Sequence, residues 1–443
     1  MIARISVFFA LVVFAFIPTR AGAVDIQEVT SPGGITAWLV EDYTNPLIAL
    51  NFAVSGGRAT DPLEKRGVSS LMASLLTEGA GDLDAEAYKL KLEETAVRLS
   101  FTANVDTFRG AMQTLSARQD DAIELMRMAV AEPRFDEAPL DRARDRTIVG
   151  LKRDETDPGS LSSRALYAAA FGDHPYGNRL SGTPETVASI TRDDVVAAHR
   201  ALLVKDRMKI GVVGAIDAEA LGQMLDQIFG ALPASSDLPE IETTDLENGG
   251  LVEIIDIAVP QSTVQFGLPG LKRDDPDFIT AFVSNFIFGG GSFSSRLYEE
   301  VREKRGLVYS VYSYLAPYDN GALLAGGAAT ENARVSETIR VITDEIRKMG
   351  ETGVTEEELE NAKSFLTGSY PLRFDTSSKI ARQLVGIQVD DLGIDYIERR
   401  NDLVRAVTLE DVNRVAAKLY DPSRLIITIA GQPENVEPRP AGG

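Results

Sequence analysis

The chain contains no cysteine. That excludes disulfides, thiolate metal ligands and lipid attachment through cysteine, so an exported protein of this sequence must stand on its core alone. Histidine is nearly absent too, with two in 443 residues, His174 and His199. His174 lies in the loop-like stretch GDHPYG and His199 in a helical stretch, 191–203. A metal site needs several converging donors, so His174 reads as a loop-fixing hydrogen-bonder and His199 as a surface or partly buried residue. Positive charge is also scarce: 45 Lys and Arg stand against 66 Asp and Glu, a formal net charge of −21. Such a balance argues against nucleic-acid binding and is compatible with attraction of cationic peptides, although solubility is its commoner reason.

Long apolar runs are missing everywhere except at the start, MIARISVFFALVVFAFIPTRAGA. Arg4 supplies a charged beginning, Ile5 to Pro18 an apolar core, and Ala21-Gly22-Ala23 a small-x-small cleavage site. The apolar run is too short to span a bilayer comfortably, so residues 1–23 are expected to be a signal peptide. Cleavage would leave 420 residues carrying −23, destined for the periplasm or for secretion, with no membrane span.

The remainder repeats. TRDDVVAAHRALLVKDRMKIGVVG (191–214) and TLEDVNRVAAKLYDPSRLIITIAG (408–431) align without a gap at an offset of 217. Seven positions coincide, among them Thr191/Thr408, Asp194/Asp411 and Gly214/Gly431. Each copy reads as an N-capped helix followed by an apolar strand, and together they indicate an internal duplication. Nearly the same offset, to within three residues, relates the starts of the halves, where a strand and a turn precede Asp61-Pro62 or Asp275-Pro276. The stretch 233–250, rich in Pro, Ser, Gly and acid, reads as a linker between domains 24–232 and 251–443. Strands near 35–41, 47–55, 97–105 and 107–115 precede mostly helix up to 206–216. That order implies an α+β fold: in each half a largely antiparallel sheet with helices packed on one face.

Two stretches stand out. In RGVSSLMASLLTEGAG (66–81), Val68, Leu71, Met72, Leu75 and Leu76 make one apolar stripe at helical period. The positions between them, Ser69, Ser70, Ala73, Ser74 and Thr77, are all small, and none is a good base, acid or metal ligand. Close packing against another backbone is the plain reading. In GGGSFSSRLYEEVREKRGLVYSVYSYL (289–315), Phe293, Leu297 and Val301 form a helical stripe, Gly306 is placed to end the helix, and LVYSVYSYL alternates as a strand. Arg302 and Tyr309, seven residues apart, can converge across the helix–strand corner to bind a peptide carbonyl or an oxyanion. The plain alternative is one charge of a solvated helix end beside a tyrosine packed on a sheet. The triple glycine lacks the spacing of a phosphate loop, and Gly291-Ser292-Phe293 fails as a nucleophile elbow because Ser294 stands where glycine is needed.

These stretches, with SGGRATDPLEKRGVSSLM, GDHPYGNRLSGTPETVASIT and the duplication, resemble the pitrilysin/insulinase-type zinc peptidases, the family that includes mitochondrial processing peptidase. The resemblance covers nearly the whole mature chain. It implies two α/β domains that enclose a chamber with partner domains. Peptide-cleaving members carry H-x-x-E-H on the helix after the Asp-Pro turn, two zinc ligands and a base. The matching positions here are Ser70, Ala73 and Ser74, and the distal glutamate position falls near Lys152. The family also implies a substrate-binding role for Arg302 and Tyr309. The chain is thus expected to be a catalytically incomplete subunit that binds no metal. Zinc would sit in a partner bearing H-x-x-E-H, and the substrate would be a peptide or unfolded polypeptide. The alternative is a non-catalytic peptide-binding or scaffold protein of the same fold. A serine hydrolase built on Ser70 or Ser292 lacks an evident histidine partner in sequence.

Overall fold

A computed structural model describes residues 25–442. The expected signal segment, 1–23, lies outside the described residues. The first half builds a six-stranded sheet from β1 (Gln27–Thr30), β2 (Thr36–Glu41), β3 (Leu47–Ser55), β4 (Arg98–Ala103), β5 (Thr107–Leu115) and β6 (Met208–Gly214). Their order is β1-β2-β6-β3-β5-β4. The second half builds a five-stranded sheet from β7 (Val252–Asp256), β8 (Gln261–Pro269), β9 (Val308–Tyr318), β10 (Gly321–Glu331) and β11 (Ile426–Gly431). Their order is β7-β11-β8-β10-β9. In each sheet one pair is parallel, β2 with β6 and β7 with β11, and the remaining pairs are antiparallel. The expected α+β class and the doubled topology are therefore present; β1 is an additional edge strand.

The repeat is exact in register where it was read most clearly. The helices Arg192–Leu202 and Leu409–Leu419 start 217 residues apart. Each begins with a reciprocal cap: Asp194 N–H donates to Thr191 Oγ1 at 3.3 Å and Thr191 N–H to Asp194 Oδ2 at 2.8 Å. Thr408 and Asp411 repeat that exchange. The early elements follow the slightly shorter offset. β3 begins at Leu47 and β8 at Gln261, an offset of 214, so the second copy gains three residues before its closing helix and strand.

The two faces of each sheet explain why the central strands read as continuous apolar runs rather than as alternation. One face is covered by helices of the same half. This is the expected arrangement of each half, and the other face is covered by a helix contributed by the opposite half. Helix Ser377–Val389 of the second half lies across β3 and β6. There Ala381, Leu384 and Ile387 join Trp38, Val40, Ala49 and Val213 in one apolar cluster. Gln388 Nε2 donates to Ile210 O at 2.8 Å. Gly211 permits this approach, since a Cβ there would lie 2.7 Å from Ala381 O. Reciprocally, helix Pro158–Phe171 of the first half lies across β8 and β11. Leu166, Ala170 and Phe171 pack with Leu323, Ala325 and Ile426, and Thr428 Oγ1 donates to Ser162 O at 2.8 Å.

Residues 233–250 hold no helix or strand, yet they are pinned to both halves. Glu247 N–H donates to Ala170 O and Thr244 N–H to Asn320 O, each at 2.8 Å, and Leu246 is buried. A free tether would show none of this. Among the described residues, no helix is long and apolar enough to cross a membrane.

The exchanged helices make the two halves one cooperative unit. Leu384 is fully buried against the first sheet although it belongs to the second half. Leu384→Ala should destabilise the chain by about 2–5 kcal/mol and shift the unfolding of both halves together. Denaturant titration followed by probes in each half checks this; a shift confined to the second half's probe would contradict the coupling.

Candidate functional site

The small-faced segment folds as helix Val68–Leu75. Its N-cap is Gly67, at φ +97°, where a side chain would be strained and would also meet Ser181 O at 2.7 Å. Glycine cannot supply a capping side chain, so Asp61 caps from a distance. Its Oδ2 accepts from Gly67 N–H at 3.1 Å and Ser69 N–H at 3.4 Å, and its Oδ1 accepts from Ser69 Oγ–H. Burial pushes the Asp61 carboxyl up to about 6, although those bonds and nearby Arg66 favour the charged form. This is what the Asp-Pro turn does here, and Asp61 was not singled out from sequence; an acid six residues before a glycine cap was the available signal.

The three positions read as lost ligands separate in the structure. Ala73 is buried in the core, Ser70 is half-buried and Ser74 is exposed. Ser74 Oγ–H donates back to Leu71 O at 2.7 Å. Close packing thus accounts for Ala73 and Ser69, not for Ser70 and Ser74. Lys152 is exposed on helix Glu137–Asp154, which packs against this helix. A hydroxyl pair, a methyl and an ammonium provide no imidazole or carboxylate. Zinc does not fit this donor set, and among the described residues no group of three or more His, Asp or Glu side chains is placed to hold a metal ion.

The histidines are occupied structurally. His174 Nδ1 accepts from Tyr176 N–H at 3.2 Å, leaving Nε2 to donate to Glu242 O of the connecting segment at 2.9 Å. The same GDHPYG turn clamps the halves. Tyr176 O–H donates to Asp106 Oδ1 at 2.7 Å and its oxygen accepts from Asn320 N–H at 3.1 Å. His199 bonds Val130 O at 2.9 Å and meets Phe135 edge-on, and its burial lowers its basicity. Neither ring touches Ser70 or Ser292, so the geometry offers no serine–histidine pair.

The second stretch departs from a regular helix. Two π-helical turns, Phe286–Gly290 and Tyr298–Glu303, flank a short 3-10 turn, Ser292–Ser294. Leu297 and Val301 are buried as expected, but Phe293 is 77% exposed on the 3-10 turn and stacks edge-on against Tyr298. The expected Phe293–Leu297–Val301 stripe is therefore broken, because the glycines end the preceding helix before Phe293. Those glycines serve packing: a Cβ on Gly289 would lie 2.9 Å from Ser313 N, and one on Gly290 2.7 Å from Asn285 Nδ2. Gly306, at φ +59°, terminates the segment as its position implied.

The wider turn at Tyr298–Glu303 sets Arg302 between two rings. Its Nη1 donates to Tyr298 O–H, and its Cζ lies 4.7 Å from the Tyr298 centroid and 5.4 Å from that of Tyr309. Arg302 and Tyr309 thus meet across the corner. Tyr309 is 84% exposed, which argues against a merely packed sheet residue. Neighbouring Lys304 and Arg305 are tied to Glu300, whereas Arg302 makes no ion pair among the described residues. Tyr298 is the member that sequence reasoning missed; its i,i+4 spacing to Arg302 was the signal. The result is a guanidinium whose remaining donors, with a phenol beside it, are presented to solvent, a combination suited to carbonyl oxygens.

Residues 189–366 match the family model described as "Peptidase M16 inactive domain". A Helicobacter pylori protein named "Non-peptidase homolog YmxG" is 24% identical over 91% of this chain and 93% of its own length. A Bacillus subtilis relative named "Uncharacterized zinc protease YmxG" is 26% identical over 90% of this chain and 98% of its own. The crystal structure of a peptidase M16 inactive domain from Pseudomonas fluorescens superposes with a TM-score of 0.87. It is 26% identical and covers 94% of this chain and all of that one.

The Asp61 cap makes a pH prediction. Its folded pKa lies above its ordinary value of 3.8, so the folded chain holds this proton more tightly than the unfolded one. Its contribution to stability is complete below about pH 4 and is lost as pH rises through about 6. The loss should be about 3 kcal/mol, and Asp61→Asn should remove that slope. Denaturant titrations at either end of the window test this; identical slopes in both proteins would show that Asp61 does not carry it.

Proposed function

Because this chain belongs to the peptidase M16 family of pitrilysin/insulinase-type zinc peptidases, and its zinc-motif positions are empty of ligands, we propose that it is the substrate-binding subunit of a two-chain metallopeptidase. One observation carries the reading: Arg302 is held between Tyr298 and Tyr309 at an exposed corner, while Ser70, Ala73, Ser74 and Lys152 supply neither a ligand nor a base. A partner bearing H-x-x-E-H would hold the zinc and the base. The residues of this chain bind and orient. Arg302 donates to the peptide backbone, and Tyr309 O–H donates to the scissile carbonyl oxygen as negative charge develops there. A signal peptide at residues 1–23 would direct the subunit to the periplasm or outside the cell, and its substrates would be peptides or unfolded polypeptides.

A second reading, a peptide-binding or scaffold protein without a catalytic partner, is favoured by the Helicobacter relative's printed name, which calls it a non-peptidase.

The tagged chain should be recovered from its native envelope and assayed for bound zinc and for peptide cleavage with and without chelator. The two-chain reading expects zinc and chelator-sensitive cleavage to arrive with an H-x-x-E-H chain. Tyr309→Phe and Arg302→Ala should each lower turnover of the assembled pair roughly 100-fold while leaving assembly intact. Unchanged turnover would remove the role assigned to these residues, and recovery of a lone chain without zinc would favour the scaffold reading.

A further inference from the structure

Away from the Arg302 corner, the second half contains a cavity of about 600 Å³. It opens between β9, the helices Phe278–Asn285, Glu356–Gly368 and Tyr396–Ala406, and the exchanged helix Ser377–Val389. Its size suits a small organic molecule or one or two residues of a peptide. Its charge is unlike that of the protein. In a chain of net −21, the charged groups lining it are Arg273, Arg373, Arg400 and one acid, Asp390.

Asp390 is already engaged, 3.3 Å from Arg273 Nε. Arg273 also donates to Tyr396 O–H at 2.9 Å and lies over the Phe278 ring. Arg400 has no such partner. It is only 5% exposed, and its protein acceptors are neutral: Nη1 donates to Leu366 O at 2.7 Å and to Asn401 Oδ1 at 3.0 Å. Its guanidinium lies 4.6 Å from the Tyr370 centroid and 5.5 Å from that of Phe282. A buried cation is ordinarily paired, because removing it from water costs several kcal/mol. Here a guanidinium with unused donors lines a cavity whose walls also include Phe286 and Phe365, stacked 5.2 Å apart.

We propose that this cavity binds an apolar carboxylate, with Arg400 pairing to the carboxylate and the aromatic walls enclosing the apolar body. A planar carboxylate matches the two-pronged guanidinium, and a single uncompensated buried cation suits a monoanion. Two sources share this chemistry: a free aryl or alkyl acid, and the C-terminus of a peptide ending in an apolar residue. Its lining includes none of Tyr298, Arg302 and Tyr309.

The test uses the purified full chain and four probes: 4-phenylbutyrate, its amide, and an N-acetylated tripeptide ending in phenylalanine as acid and as amide. Calorimetric titration should give an acid dissociation constant on the order of 1 mM or tighter. Each amide should bind at least roughly ten-fold more weakly. Arg400→Gln should weaken acid binding at least ten-fold. Should that variant not fold, Arg373→Gln, at an exposed position, should still weaken it roughly three-fold. Tighter binding by the tripeptide acid would identify a peptide terminus, and tighter binding by phenylbutyrate a small acid. Equal binding of acids and amides, or no binding of either acid at about 10 mM, would overturn the proposal.

Discussion

Each sheet of this protein has one face covered by a helix of the other half, and that exchange organises the molecule. A central strand such as β11, buried along its whole length, is stable only when both of its faces are dry. The exchange of Ser377–Val389 for Pro158–Phe171 meets the need in both directions. It also fixes the halves against each other far more firmly than a connecting segment could. The clamp from Tyr176 to Asp106 and Asn320 and the pinned 233–250 segment are secondary consequences: once the sheets are locked, nearby polar groups find constant partners. A functional surface built on one half is thereby held in fixed relation to the other.

The duplication and most strands were legible in the sequence because they rest on local signals. Capping pairs such as Thr191/Asp194 act within one turn, and apolar runs report burial directly. The exchange of helices was not legible. The apolar stripe of Ser377–Val389 says that the helix is buried, but not against which sheet; that choice depends on partners as distant in sequence as Ile210 and Trp38. The broken stripe at Phe293 has a different cause. Periodicity assumes an unbroken helix of 3.6 residues per turn, whereas the glycine run ends the preceding helix and leaves Phe293 on a 3-10 turn between two π-helical turns. The pairing of Arg302 with Tyr309 was anticipated from spacing, while Tyr298, which completes the clasp, was hidden by an i,i+4 pattern shared by countless structural pairs.

The absence of ligands on Val68–Leu75 has a physical corollary. The helix retains everything its stability needs: the Asp61 cap, the buried Leu71, Met72 and Leu75, and packing on two neighbouring helices. In a metal-binding helix the positions of Ser70 and Ser74 would face the ion, and so would contribute chemistry rather than core. Ser70 and Ser74 lie outside the core, and Ser74 in particular is exposed and bonded to its own helix. Stability and chemistry are separable on this element, so a folded, chemically silent half is a coherent outcome rather than a damaged one.

The same separation argues that the Arg302 corner is retained for contact with another molecule. Phe293 and Tyr309 expose 77% and 84% of their surface, and neither belongs to a core cluster. Removing them would leave no cavity. Arg302, joined to neither of the acids that neutralise Lys304 and Arg305, adds no ion pair to the fold. Three groups that do little for folding thus lie together on one corner, where a π-helical turn, a less favourable geometry than an ordinary one, brings the guanidinium to the rings. Contiguous exposed aromatics beside a free cation are what a surface for peptide recognition requires. On the two-chain reading proposed above, this asymmetry follows directly: one half offers no metal ligand, the other presents a cation between aromatic rings, and the missing groups would come from a second chain.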